Sequence, residues 1–108
     1  MRAERRREPR FPFIATAEIV DEQEDSRTSS RLSDLSLHGC YVEIPKPFPE
    51  GTSVLIEIFK DDDFIETYAT VAFVEPRHGM GLTFREVPAC FSGVLSKWLR
   101  EAGKQKSA

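Results

Sequence analysis

The chain has 108 residues and a mass of 12.3 kDa, the size of one small domain with a single core. Its composition, 40% hydrophobic and 31% charged, is that of a globular protein, and no apolar run approaches the ~20 residues of a membrane-spanning helix. The beginning, MRAERRREPR, has no apolar segment like those of secretory signals, and two cysteines are too few for a disulfide-stapled fold. We therefore expect a cytoplasmic protein without membrane insertion.

Charge is distributed unevenly along the chain. Residues 1–10 contain five arginines and two glutamates, a local charge of +3 within a total of −3, which leaves −6 on the other residues. This acidic body argues against a general binder of nucleic-acid polymers. The first ten residues also lack apolar periodicity, and Pro9 disfavours helix at the residue before it. Residues 1–10 are therefore predicted to be a flexible basic arm.

Six segments with strand character follow the arm. In the first, apolar residues alternate on one face from Phe11 to Ile19, and the acidic cluster at residues 21–25 ends the strand. Further strands are predicted over residues 29–36, 39–44, 54–59, 64–75 and 79–84. Three prolines make residues 45–52 a loop, and the polar residues 60–63 predict a hairpin turn. This spacing favours a small antiparallel barrel or a sandwich.

The last segment has a helical period instead. Its apolar residues recur with the spacing i, i+3, i+4, i+7, i+8 and i+11, which forms one stripe on an α-helix: Phe91, Val94, Leu95, Trp98, Leu99 and Ala102. We expect this stripe to cover one opening or flank of the barrel. Pro88 suits the first turn of such a helix, and Gly103 suits its end. The folded domain is thus predicted to span residues 11–103, with residues 104–108 as a frayed tail.

The titratable residues form no pattern typical of catalysis or metal binding. Nucleophilic catalysis needs a serine or cysteine beside a base, and the two histidines, His38 and His78, both adjoin glycine in predicted turns. We interpret both cysteines, Cys40 and Cys90, as buried thiols. The acidic run at residues 61–63 lacks the long ligand loop of a calcium site, and no zinc-type spacing is present. The sequence therefore predicts a protein that is not an enzyme and has no metal or other cofactor.

The arm carries a chemistry of its own. Four arginines lie within six residues: Arg5, Arg6, Arg7 and Arg10. Each guanidinium is a planar fork of donors that fits a phosphate or the O6/N7 edge of guanine and can stack on an aromatic ring. Taken by itself, such an arm is also typical of a segment that serves solubility or binds anions without specificity.

A second motif lies on the second predicted strand. Asp34 and Ser36 are two residues apart, so both side chains project from one face, which we expect to be exposed. Gly39 follows where the chain turns into the next strand, with a positive φ or with close approach of another group. A carboxylate and a hydroxyl on one face form a small acceptor site. The same residues are also typical of a turn that satisfies only the local backbone.

In this order, Arg6-x-x-x-Arg10 and Asp34-x-Ser36-x-x-Gly39 resemble the paired signature of the PilZ domain. The likeness extends through residues 40–43 and 79–84 and covers most of the chain. It implies a bacterial receptor for cyclic di-GMP, built mainly of β-structure as a six-stranded antiparallel β-barrel with a C-terminal α-helix.

The resemblance also implies the ligand-binding residues, carried over position by position: Arg6, Arg10, Asp34, Ser36 and Gly39. Arg5 and Arg7 flank the first arginine and resemble members of the family whose arm holds two intercalated ligand molecules. We expect cyclic di-GMP to clamp the arm onto the barrel, and a downstream effector protein to bind the surface that results.

Two other functions fit a small barrel with a basic arm. One is binding of single-stranded nucleic acid, which uses basic grooves and exposed aromatic rings. The acidic body opposes it, and we interpret the relevant aromatic residues as interior: Phe11, Phe13, Phe59 and Phe73. The other is a protein–protein adaptor that works without a ligand.

Overall fold

The structure, a computed structural model, describes residues 9–107, with side chains as far as residue 104. Its elements are β1 (Phe11–Asp21), β2 (Arg27–Ser36), β3 (Gly39–Glu43), β4 (Ser53–Lys60), β5 (Asp63–Glu75), β6 (Gly79–Phe84) and α1 (Ala89–Ser107). The strands are antiparallel and close into a barrel in the order β1-β2-β3-β6-β5-β4. The predicted fold, a six-stranded antiparallel barrel with a C-terminal helix, is confirmed.

The core follows the period-two pattern of the strands. In β1 the buried side chains are those of every second residue from Phe13 to Ile19. Alanine at two of these inward positions, Ala15 and Ala17, leaves room in the interior for large aliphatic side chains of β4 and β5, such as Ile56 and Ile65. Closure of the barrel pairs every strand on both sides and leaves no open edge.

Helix α1 covers part of the barrel with the predicted stripe. The Trp98 side chain is 1% exposed, and its ring centroid lies 5.3 Å from that of Phe13 on β1. Leu95 and Ala102 are buried on the same face, while the helix rests on β1 and β5. The described residues include no helix with the length and apolar character needed to cross a membrane.

The sequence predicted that the helix ends at Gly103, but in the structure it continues to Ser107. One glycine inside a helix costs only about 1 kcal/mol relative to alanine, and the residue before it, Ala102, is buried against the barrel. The ring of Phe11 also lies 4.0 Å from the place that a Gly103 Cβ would take. Packing on the barrel therefore outweighs the local preference for a stop.

Three register shifts interrupt the strand pairing, and two of them, in β2 and β5, change which side chains face outward. In β2, Leu32 pairs with Val42 and Asp34 with Tyr41, so Ser33 is an extra residue. In β5, a register shift after Val71 makes the next residue extra in the same way. An extra residue moves the side chains that follow it to the other face of the sheet. The side chains at the ends of β2 and β5 therefore lie on the face opposite to the one that unbroken alternation predicts.

Two side chains interpreted as interior are exposed. Phe59 is 39% exposed because it lies on the outer face of β4, where its ring stacks with that of Phe64 at 6.0 Å between centroids. Cys90 is exposed on the first turn of α1, away from the helix stripe, whereas Cys40 is buried as predicted. The histidines, His38 and His78, lie in turns as expected.

The two thiols are expected to differ in reactivity. Burial raises the pKa of Cys40 from 9.0 to about 12, because the apolar interior disfavours the thiolate, and only the thiolate reacts with alkylating reagents. At pH 8 we expect iodoacetamide to modify Cys90 within minutes and to leave Cys40 intact. Mass spectrometry of tryptic peptides checks this, with protein in urea as the control in which both thiols react. Equal labelling of the folded protein would contradict the burial of Cys40.

Candidate ligand-binding site

A pocket of about 650 Å³ lies on the outer face of the barrel, beside the hairpin that joins β2 and β3. Strand register explains which residues meet there. Ser36 pairs with Gly39, which in turn pairs with Thr83 of β6. Arg10 comes directly before β1. The first residue of β1, Phe11, pairs with Leu35, the residue before Ser36, so Arg10 lies at the end of this row of paired residues. Three of the predicted site residues, Arg10, Ser36 and Gly39, therefore line one pocket.

Arg10 and Asp34 form an ion pair at the edge of this pocket. The distance from Arg10 Nη2 to Asp34 Oδ2 is 3.2 Å, and the two side chains are 26% and 35% exposed. An ion pair this exposed stabilises a fold by at most about 1 kcal/mol. Its larger consequence is orientation, because it holds one guanidinium where the chain enters the barrel. Asp34 contacts Arg10 and is not itself among the residues that line the pocket.

Ser36 and Gly39 build the floor of the pocket at the hairpin. Ser36 is buried, and its hydroxyl donates a hydrogen bond to the Gly39 carbonyl at 3.2 Å, so the expectation that it lies on an exposed face was wrong. The tight hairpin explains the difference, because it brings the Gly39 carbonyl over the Ser36 hydroxyl. A Cβ on Gly39 would lie 2.2 Å from the Leu82 carbonyl oxygen. Close approach of the β6 backbone, not a positive φ, therefore requires glycine here.

An aromatic wall borders the pocket on β6. Two glycines on the outer face of that strand leave room for rings from its neighbours. A Cβ on Gly81 would lie 2.3 Å from the Phe73 ring of β5, and one on Gly79 would lie 2.7 Å from the Tyr41 hydroxyl of β3. The two rings stack on each other, with 6.1 Å between centroids and 28° between planes. Of the two rings, Phe73 lines the pocket and offers a flat apolar face to a planar ligand, whereas Tyr41 lines an adjoining hollow.

The β5 side of the pocket was missed by sequence reasoning. Without the extra residue Ala72, the alternation that buries Ala69 and Val71 would turn Phe73 and Glu75 into the core. With it, both side chains point outward and line the pocket, so the interpretation of Phe73 as interior was wrong. The available signal was local: glutamate is unfavourable inside a barrel, so the end of β5 had to change face.

Glu75 and Tyr41 are joined by a hydrogen bond across β6. The Tyr41 hydroxyl donates to Glu75 Oε1. Burial and this bond to a carboxylate raise the pKa of Tyr41 above its usual value of 10.0, because both disfavour the phenolate. Tyr41 therefore stays a neutral donor at physiological pH. A second hollow of about 750 Å³ adjoins here and shares Glu75 with the first.

The other predicted ligand residues, Arg5, Arg6 and Arg7, lie outside the described residues, as does most of the predicted flexible arm. Within residues 9–107, no cluster of three or more histidine, cysteine or acidic side chains is arranged to hold a metal ion. The described site thus combines one oriented cation, one aromatic wall, one carboxylate and a tight backbone floor. Such a set suits binding of a planar, anionic ligand.

A closed six-stranded barrel with a C-terminal helix and a pocket on its outer face defines the chain as a small β-barrel domain. The chain belongs to the PilZ family, since the model of the PilZ domain matches residues 4–100. None of the curated proteins compared with the chain is significantly similar to it.

Solved structures share the fold at low sequence identity. The PilZ domain of YcgR from Escherichia coli, solved with c-di-GMP, is 19% identical with a TM-score of 0.72, covering 95% of this chain and 98% of that one. The Bacillus subtilis inhibitor of motility MotI/DgrA is 21% identical with a TM-score of 0.71, covering 94% and 51%. The PilZ domain of CeSA from a cellulose-synthesizing bacterium is 16% identical with a TM-score of 0.62, covering 91% and 98%.

Proposed function

We propose that this PilZ domain is a receptor for cyclic di-GMP that acts by binding and not by catalysis. The observation that carries the proposal is the convergence of Arg10, Ser36 and Gly39, the residues of the family signature, on one pocket with an aromatic wall. The PilZ domain of YcgR, which has the same fold, was solved with this ligand.

The ligand is a ring of two guanosines joined by two phosphates, so it presents two anionic groups and two flat bases. The Arg10 guanidinium, held by Asp34 at the pocket edge, can give a fork of charge-assisted hydrogen bonds to a phosphate or to guanine O6 and N7. Phe73, which lines the pocket and packs against Tyr41, offers a face on which a base can stack. The anionic groups of the ligand and its flat bases are therefore matched by different walls of the pocket.

The arm completes the site in this proposal. Arg5, Arg6 and Arg7 add three guanidiniums in the residues that lead directly to Arg10, and Arg10 is tied to the barrel through Asp34. Ligand bound at the pocket would therefore meet the arm as it enters β1, and the arm would close over it. An effector protein that binds the arm and barrel together would then distinguish the two states.

The energy required is modest. Micromolar affinity corresponds to about −8.2 kcal/mol, and each charge-assisted hydrogen bond contributes roughly 1.5–3 kcal/mol. A few such bonds, together with stacking, offset the cost of ordering the arm. Neither the arm nor the pocket has to bind the ligand alone.

Calorimetric titration of the full chain tests the proposal. We expect cyclic di-GMP to bind saturably with a defined stoichiometry at physiological salt, and a short single-stranded RNA to bind weakly, because the body of the protein is acidic. Affinity for RNA that grows with its length and falls steeply with salt would favour the nucleic-acid alternative. No heat with either would favour a ligand-independent adaptor.

The same samples test closure of the arm. Backbone amide relaxation should show residues 4–10 becoming more rigid on saturation, while the barrel strands change little. Unchanged relaxation of these residues in a protein that binds cyclic di-GMP would rule out the clamp and leave the receptor function standing.

A further inference from the structure

Glu75 has no role in the family signature, yet it lies at a decisive place in the pocket. Among the described residues that line the pocket it is the one carboxylate, as Arg10 is the one cation. Arg10 enters from the β1 side, and Glu75 lies at the end of β5, on the far side of the strip formed by β2, β3 and β6. A dianionic ligand therefore meets a cation at one side and an acceptor at the other.

The carboxylate is fixed in position. The bulge at Ala72 turns it outward, and the Tyr41 hydroxyl holds one of its oxygens. Because Tyr41 keeps its proton at physiological pH, it acts as the donor in this hydrogen bond. A carboxylate has about four acceptor positions, of which this bond uses one. Acceptor capacity for two further N–H donors therefore remains.

The spacing on β5 fits a base. Phe73 and Glu75 lie two residues apart on one face of the strand, which places their backbone positions about 7 Å apart. A purine stacked on the Phe73 ring would direct one edge along the strand toward Glu75. Guanine presents two neighbouring donors on its Watson–Crick edge, N1–H and N2–H, whereas adenine presents an unprotonated N1, which a carboxylate repels.

Resting on the proposed function, we infer that Glu75 binds the Watson–Crick edge of a guanine of the ligand and so selects guanine over adenine in a cyclic dinucleotide. Asp34, the carboxylate of the family signature, is paired with Arg10 and serves here to orient that cation. Glu75 is thus a specificity-determining residue, and Tyr41 is a positioning residue that holds it.

The test compares two ligands on matched variants. Wild type, Glu75→Gln and Glu57→Gln are titrated with cyclic di-GMP and with cyclic di-AMP. Glu57 is the control, since it is a carboxylate on β4 that pairs with Arg27 and lines neither hollow. We expect wild type to prefer cyclic di-GMP at least tenfold. Glu75→Gln should lose about tenfold in affinity for cyclic di-GMP and nothing for cyclic di-AMP, because its amide replaces one acceptor with a donor.

Tyr41→Phe separates positioning from packing. It keeps the ring that stacks on Phe73 but removes the donor to Glu75. We therefore expect a loss of the preference for guanine that is smaller than in Glu75→Gln, and an unchanged melting temperature. Wild-type affinity of Glu75→Gln for cyclic di-GMP, or an equal loss for both ligands, would overturn the inference and leave the receptor function intact. Failure of wild type to bind either ligand would instead overturn the proposed function, and the inference with it.

Discussion

Replacing Arg10 with alanine is expected to weaken binding of cyclic di-GMP at least tenfold. The change removes a charge-assisted contact worth roughly 1.5–3 kcal/mol and also leaves the Asp34 carboxylate, its partner at 3.2 Å, facing a dianionic ligand. Arg10→Lys should recover only part of the affinity, because an ammonium keeps the charge but lacks the planar fork. Calorimetric titration measures both variants, and full affinity of Arg10→Lys would contradict recognition through the fork.

A double-mutant cycle with Asp34 shows how the pair acts. If Asp34 orients Arg10, Asp34→Ala should weaken binding in the wild type but have little further effect in Arg10→Ala. If Asp34 contacts the ligand independently, the two losses should add. The melting temperature of Asp34→Ala should stay almost unchanged, because exposed ion pairs contribute little to stability. A loss of about 1 kcal/mol in the free energy of unfolding would instead indicate that Asp34 serves the turn backbone.

The strands and the helix could be predicted because their hydrophobic patterns are long. In β1 the alternation runs from Phe13 to Ile19, and in α1 the stripe that includes Leu95 and Trp98 repeats over three turns. Patterns of this length fix the period even where single residues deviate. The pattern left the barrel and the sandwich equally open, and the choice of barrel came from the family resemblance.

The bulges were not predictable in this way. Ser33 and Ala72 are small residues that do not mark a bulge by themselves, and the extra residue is visible only once both partner strands are paired. The consequence is large for the site, because side chains after a bulge change face. The structure brings Arg10, Ser36 and Gly39 of the signature together at one pocket. The signature gave no indication of the β5 wall, since the outward orientation of Phe73 and Glu75 depends on register.

Single-residue preferences failed where tertiary packing decides. Phe59 was assigned to the interior by its hydrophobicity, yet it lies on the outer face of β4 beside Phe64. Gly103 was assigned to the helix end by its preference for C-terminal positions, yet α1 continues past it along the barrel. For Gly103 the local preference amounts to about 1 kcal/mol, and the burial of the helix face exceeds it. For Phe59 the register of β4 decides, because its neighbour Ile58 takes the inward position.

Replacing Trp98 with alanine is expected to lower the free energy of unfolding by about 3–5 kcal/mol. Its side chain is 1% exposed and packs on Phe13 at 5.3 Å between ring centroids, so its loss leaves a cavity between α1 and β1. The total free energy of unfolding of a small domain is about 5–15 kcal/mol, so this loss is a large share of it. Urea unfolding followed by circular dichroism measures it, with Ser96→Ala on the exposed face of α1 as the control. Similar midpoints for both variants would contradict docking of the helix through Trp98.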